Sequence, residues 1–113
     1  PIPLHIKKER KRGYNQAEWI AQGIGRAMDK PVNTKSVHRT LETSTQTKKS
    51  KYERWKNVEN IFKVVDPEAI RDKHILLVDD IITTGSTLEA CIHTILETEG
   101  TVVSVATIGA AKD

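Results

Sequence analysis

Four apolar residues in a row, Ile75-Leu76-Leu77-Val78, stand immediately before two adjacent aspartates, Asp79 and Asp80. An unbroken apolar run, unlike a strict alternation, is the pattern of a parallel strand covered on both faces. A parallel strand needs a crossover to its neighbour, usually a helix. That helix follows. Ser86-Thr87-Leu88-Glu89 has the spacing of a capping box, in which the Ser86 hydroxyl takes the amide three residues on and Glu89 reaches back. Leu88, Cys91, Ile92, Ile95 and Leu96 form its apolar stripe, Gly100 suits a left-handed position after it, and residues 101–106 read as the next strand. Strand, helix and strand make a right-handed parallel crossover, which places the chain in the α/β class.

The first half is less sharply written. Ala17, Ile20, Ala21, Ile24, Ala27 and Met28 recur at three- and four-residue spacing and predict an amphipathic helix over residues 15–30, closed by Pro31. Residues 32–47 are rich in Thr, Ser and Asn and predict a weak strand around Val37 followed by a polar loop. A short helix over residues 48–56 and a strand over residues 60–65, ending at Asp66-Pro67, complete the pattern.

At 113 residues the chain has room for one core and is expected to form one domain. Its single cysteine, Cys91, has no partner for an internal disulfide, and His5, His38, His74 and His93 show no metal-ligand spacing. No apolar run approaches the roughly 20 residues needed to cross a bilayer, so no membrane insertion is expected and the cytoplasm is the expected compartment. The net charge of +3 favours anionic partners only mildly, since 18 basic residues face 15 acidic ones. The basic residues nevertheless cluster, at Lys7, Lys8, Arg10, Lys11 and Arg12 and again at Lys48, Lys49, Lys51, Arg54 and Lys56.

The chemistry is concentrated between the buried strand and the capped helix. In open α/β sheets ligands bind at such junctions, where strand carboxyl ends converge and a helix start presents unpaired amides. Adjacent carboxylates repel one another, and at the end of an apolar strand they lose part of their hydration, so packing explains Asp79 and Asp80 poorly. Vicinal hydroxyls of a ribose would supply two donors to them, with Mg2+ nearby to offset the charge. Thr83, Thr84, Gly85, Ser86 and Thr87 then bring hydroxyls and a close-approach backbone to a helix start, the makings of a phosphate cradle. Taken singly, the Thr-Gly-Ser would be a cap and the Asp-Asp a solvated turn. Together after a buried strand they read as a site for ribose 5-phosphate. No Gly-x-x-x-x-Gly-Lys-Ser/Thr occurs, which excludes a Walker loop. A receiver domain is excluded as well, because after this point only Lys112 and Asp113 remain to supply its further lysine and aspartate.

Residues 75–87, Ile-Leu-Leu-Val-Asp-Asp-Ile-Ile-Thr-Thr-Gly-Ser-Thr, closely resemble the signature of type I phosphoribosyltransferases. Arg12-Gly13-Tyr14-Asn15-Gln16, followed in order by Arg39, Gln46, Arg54, Asn57 and Phe62, are similar to the ComF family of competence-associated proteins, also called the ComF/GntX group. The likeness spans residues 1–110. It implies a three-layer phosphoribosyltransferase-like fold with a parallel sheet. The implied ligand is phosphoribosyl pyrophosphate, or another ribose-5-phosphate compound or nucleotide, bound with Mg2+. By position, Asp79 and Asp80 would hold the ribose hydroxyls and, mainly indirectly, the metal, while residues 83–87 would hold the 5′-phosphate. Residues 1–4 would belong to the pyrophosphate-side loop and residues 39–57 to a mobile flap, with Arg12, Arg39, Lys51 and Arg54 as the flap or pyrophosphate-side cations. Asp80 and Arg54 are the residues expected to assist a phosphoribosyl (pentosyl) transfer.

Members of that family usually begin with a cysteine-rich zinc module and one or two strands ahead of the Pro-x-Pro segment. Neither is found here, so the chain reads as the carboxyl-terminal part of a longer protein with an incomplete sheet. No acceptor-binding hood is identifiable, and the alternative to an enzyme is a non-catalytic module that binds nucleotide or single-stranded DNA during DNA uptake. Pairing of two copies as a homodimer stays open. Among the remaining residues, His93 is expected to pair with Glu89 or Glu97 on the polar helix face, Cys91 to be an inert core thiol, and Trp19 to be a packing anchor, while Trp55, amid Lys51, Arg54 and Lys56, suits either packing or base stacking.

Overall fold

In the computed structural model, which describes residues 1–4, 13–40 and 61–111, the crossover forms in full. Strand β3 (His74–Ile82) leads into helix α2 (Ser86–Leu96), which returns the chain to strand β4 (Val102–Ala110). β3 and β4 are parallel, in register from His74 opposite Val102 to Ile82 opposite Ala110. Ahead of them lie helix α1 (Gln16–Met28), strand β1 (Val37–Arg39) and strand β2 (Phe62–Val64), the last two forming a small antiparallel ribbon. A 3₁₀ turn, Pro67–Ala69, follows β2 with proline at its start, where the missing N–H costs nothing.

α1 begins where Asn15, in extended backbone, accepts the Ala17 N–H on its Oδ1 at 3.0 Å. It ends two residues before Pro31, at Asp29 in the left-handed conformation. Its buried face is Ala17, Ala21 and Gly25, a narrower stripe than the periodicity predicts. Small residues let it lie close to β3. Met28 and Trp19 point to solvent, with Trp19 71% exposed and in edge-to-face contact with Tyr14, so the expectation that Trp19 anchors packing is corrected. The core lies under α2: Leu88, Cys91 and Ile95 meet Leu77 of β3, Ile61 and Phe62 around β2, and Ile2 and Ile70.

Three sequence expectations are corrected in this half. β3 runs four residues beyond Val78 and carries both aspartates inside the strand, which shortens the junction to Thr83, Thr84 and Gly85. β3 is deeply covered only at Leu77 and Val78, because α2 shields one face while α1 lies across only part of the other; Leu76 is left 37% exposed. The capping box does not form: Gly85, in the left-handed conformation, is the N-cap, and Ser86 is already helical. At the far end Gly100 is left-handed as expected, but it lies in the turn after the helix, and the hydroxyl of Thr101 donates to the carbonyls of Ile95 and Thr98 at 3.1 and 2.9 Å. His93 is exposed and forms no ion pair among the described residues.

Candidate functional site for a sugar phosphate

Strand geometry sets the acid pair. Successive side chains leave a strand on opposite faces, so Asp79 and Asp80 lie on opposite faces of β3, two residues before its end, both half-buried. Each carboxylate accepts one neighbouring amide: Asp80 N–H donates to Asp79 Oδ1 at 2.8 Å, and Ile81 N–H to Asp80 Oδ1 at 2.8 Å. Neither is in an ion pair among the described residues. Burial pushes the Asp79 carboxyl above its usual range, and the adjoining Asp80 carboxylate adds to this, while the Asp80 amide and the Arg39 charge pull the other way.

The turn after β3 carries the second part. Gly85 has φ of 82°, which an L side chain rarely adopts, although nothing lies near enough to obstruct a Cβ there. Glycine is therefore needed for the backbone path and not for space. That path brings Thr84 Oγ1 to 2.9 Å from Ser86 Oγ, and Ser86 N–H to 3.3 Å from Thr84 Oγ1. Gly85 supplies no side chain to cap the helix, so the first turn of α2 presents backbone donors beside the hydroxyls of Thr83, Thr84 and Ser86, all exposed, and the half-buried Thr87. An anion is the chemical complement of such a helix start.

Residues 1–4 run along the edge of β3 that β4 leaves free, where Ile2 N–H donates to Val78 O at 2.8 Å, one residue before the acids. Asn15 holds this segment in place: its Nδ2 donates to Ile2 O at 3.0 Å while its Oδ1 caps α1. The β1–β2 ribbon closes on the same region. Arg39 pairs with Phe62 across it, and its guanidinium lies 5.5 Å from the Phe62 ring centroid. Arg39 is thus the last residue of β1, and the greater part of the expected flap, residues 41–57, lies outside the described residues. Thr40 and Ile61 meet, the N–H and hydroxyl of Thr40 both donating to Ile61 O, at 2.6 and 3.2 Å. Arg12, Lys51 and Arg54, the short helix over residues 48–56 and Trp55 lie outside the described residues.

Sequence reasoning missed two participants. Asn15 was legible as an N-cap directly before a helical stripe, but its second bond to Ile2 was not. Phe62, the single phenylalanine, gave no sign of its cation until the ribbon register paired it with Arg39. Among the described residues no three His, Cys, Asp or Glu side chains cluster as a metal site, and no helix is long and apolar enough to cross a membrane.

The site joins a parallel strand bearing paired acids to a hydroxyl-rich turn at the start of a helix. Residues 8–112 match the phosphoribosyl transferase domain, and the chain belongs to that family. Within it, the chain falls with the ComF group of competence proteins. It is 39% identical to Competence protein F of Haemophilus influenzae over 78% of this chain and 39% of that protein. It is 31% identical to DNA utilization protein YhgH of Escherichia coli over 92% of this chain and 45% of the relative. With Competence protein ComFC of Bacillus subtilis it shares 36% identity over 86% of this chain and 37% of the relative. The chain therefore spans less than half the length of these curated relatives. No solved structure matches it.

Proposed function

We propose that the chain binds phosphoribosyl pyrophosphate, or another ligand containing ribose 5-phosphate, together with Mg2+, and acts in the cytoplasm as a phosphoribosyl (pentosyl) transferase. The observation that carries this reading is the start of α2, where the N-cap Gly85 brings no side chain, five residues after Asp80 of the half-buried acid pair in β3. The 5′-phosphate would take the amides and hydroxyls of residues 83–87, and the ribose hydroxyls would donate to Asp79 and Asp80. Each of those carboxylates accepts a neighbouring amide on its Oδ1.

This donor set suits Mg2+ held jointly by one or two carboxylates, water and ligand phosphate oxygens, better than a metal caged by protein alone. When bound, the ion would neutralise part of the pyrophosphate charge. In the reaction a nitrogen nucleophile attacks C1 of the ribose. The bond from C1 to the pyrophosphate oxygen breaks, the electron pair leaves with pyrophosphate, and the nitrogen releases its proton. The protein's contribution is positional and electrostatic: a fixed sugar presents C1 in one orientation, and Asp80 stabilises positive charge developing there. Arg54, Lys51 and Arg12 are proposed as the cations that offset charge on the leaving group.

Calorimetric titration with phosphoribosyl pyrophosphate and Mg2+ tests the assignment. Replacing both acids, Asp79→Asn with Asp80→Asn, is expected to weaken binding about 10- to 100-fold, the scale of lost hydrogen bonds to a charged group. Equal affinity in both proteins would defeat it. The relatives' names, which refer to competence and DNA utilization, favour a second reading, a non-catalytic module that binds single-stranded DNA. Under that reading affinity for single strands falls with salt, with a log-log slope of about −0.7 per phosphate contacted. A flat response removes it.

A further inference from the structure

We infer that the outer face of α1, led by the paired rings of Tyr14 and Trp19, is a platform on which the bases of single-stranded DNA stack. The inference rests on the single-strand reading above and gives it a surface on the side of α1 turned away from β3.

Helical geometry turns these rings outward. Successive residues of a helix are rotated by about 100°, so Trp19, two positions from both Ala17 and Ala21 of the buried stripe, points away from β3. It is 71% exposed, and Tyr14, 47% exposed, meets it edge to face, with ring centroids 6.1 Å apart and planes at 71°. The backbone beneath both is fixed. Gly13 makes the turn with φ of 83°, Asn15 is buried with both ends of its side-chain amide bonded, and Trp19 N–H donates to Asn15 O at 3.3 Å. The chain has two Trp, two Tyr and one Phe. Setting a Trp and a Tyr together outside the core forfeits the burial that such rings usually contribute, and packing gives no account of it. An edge-to-face pair leaves ring faces open, and an open ring face accepts any base.

The rest of the stripe selects the partner. Gln22, Gly23 and Arg26 follow Trp19 at helical spacing, all exposed, and the stripe carries no carboxylate. A Cβ at Gly23 would meet nothing, so the helix is bare there and a ligand backbone can lie close. Arg26 stands about 10 Å along the axis from Trp19 and is in no ion pair among the described residues. In the sequence, Lys7, Lys8, Arg10 and Lys11 come just ahead of Gly13. Rings for bases beside cations for phosphates are the composition of a single-strand surface. A protein partner would call for further apolar side chains around the rings, and Gln22, Gly23 and Arg26 do not supply them. In a duplex the bases are already stacked on one another and leave such rings little to hold.

The test is fluorescence anisotropy of a labelled oligothymidylate, of the same strand with abasic sites in place of its bases, and of a duplex. The proteins are wild type, Trp19→Ala, Trp19→Phe, Tyr14→Ala and Arg26→Gln, with thermal unfolding of each as the control for folding. Trp19→Ala is expected to weaken oligothymidylate about 5- to 100-fold, the range for one lost stacked base, with the slope of log affinity against log salt unchanged. Trp19→Phe, which keeps a ring, is expected to restore most of that loss, and Tyr14→Ala to fall in the same direction as Trp19→Ala. Arg26→Gln is expected to reduce the salt slope by about 0.7, the share of one phosphate. Wild type is expected to bind the abasic strand and the duplex no better than Trp19→Ala binds oligothymidylate. Undiminished affinity in folded Trp19→Ala and Tyr14→Ala, or equal binding of the abasic strand and oligothymidylate by wild type, overturns the inference while leaving the single-strand reading standing. A wild type that binds no single strand overturns both.

Discussion

At the scale of single residues, the cost of the site is written in Asp79. Its carboxyl is raised above the ordinary 3.8, chiefly by burial. A carboxyl raised in the folded state contributes stability that is complete below the unfolded value and is lost as pH rises through the folded one. Ionised Asp79 therefore weakens the fold at neutral pH. Asp79→Asn in metal- and ligand-free protein is expected to melt higher than wild type at pH 7, with the advantage shrinking to nothing as pH falls below about 3.8. Thermal unfolding followed across pH checks this, and a lower melting temperature at pH 7 would contradict it. Cys91 makes the opposite case. It has 0% exposure and burial pushes its thiol up to about 12, so thiolate is scarce and access is closed. In a timed reaction with a colorimetric thiol reagent at pH 8, it is expected to react at least about 100-fold more slowly in native than in denatured protein.

The elements are joined by a few polar ties, and these are where substitutions should tell. Asn15 links the α1 start to Ile2, and Ile2 links on to β3. Asn15→Ala removes a cap worth about 1 kcal/mol and leaves a buried carbonyl short of a partner, for a combined loss of about 2 to 3 kcal/mol in urea unfolding. Two left-handed glycines make a matched pair. Alanine at Gly85 meets only the backbone penalty of about 1 to 2 kcal/mol, since its Cβ has open space. Alanine at Gly100 would in addition strike Asp72, whose carboxylate and Cα lie against that position, so Gly100→Ala is expected to destabilise more than Gly85→Ala. The order of the two unfolding midpoints is the measurement. These ties mark the limit of what the sequence discloses: the stripe of α1 and the apolar run of β3 are local periodicities, whereas a side chain serving two distant backbones leaves no periodic trace. The capping-box spacing misled because a left-handed Gly85 satisfies the turn first and places Ser86 one position into the helix.

For the molecule as a whole, the crossover with its acid pair and hydroxyl turn was readable because residues 74–110 carry their pattern contiguously. The β1–β2 ribbon was readable only as two isolated strand fragments, since its pairing spans residues 41–60 and depends on register. Beyond the site, β4 bears no charged residue, and Val102 and Ile108 are 56% and 72% exposed on the same side. An uncharged apolar edge of this kind promotes self-association. Ile108→Lys is expected to leave the unfolding free energy within about 0.5 kcal/mol and to lower light scattering at high concentration. The clasp of Thr40 on Ile61 bears on a different matter, the history such a chain can have. With both anchor points already held by folded backbone, each doubling of the connection's length adds only about 0.6 kcal/mol of closure entropy. Related chains can thus trade that connection for longer or shorter versions on an unaltered framework, which makes it the natural place for new chemistry to be acquired by descent.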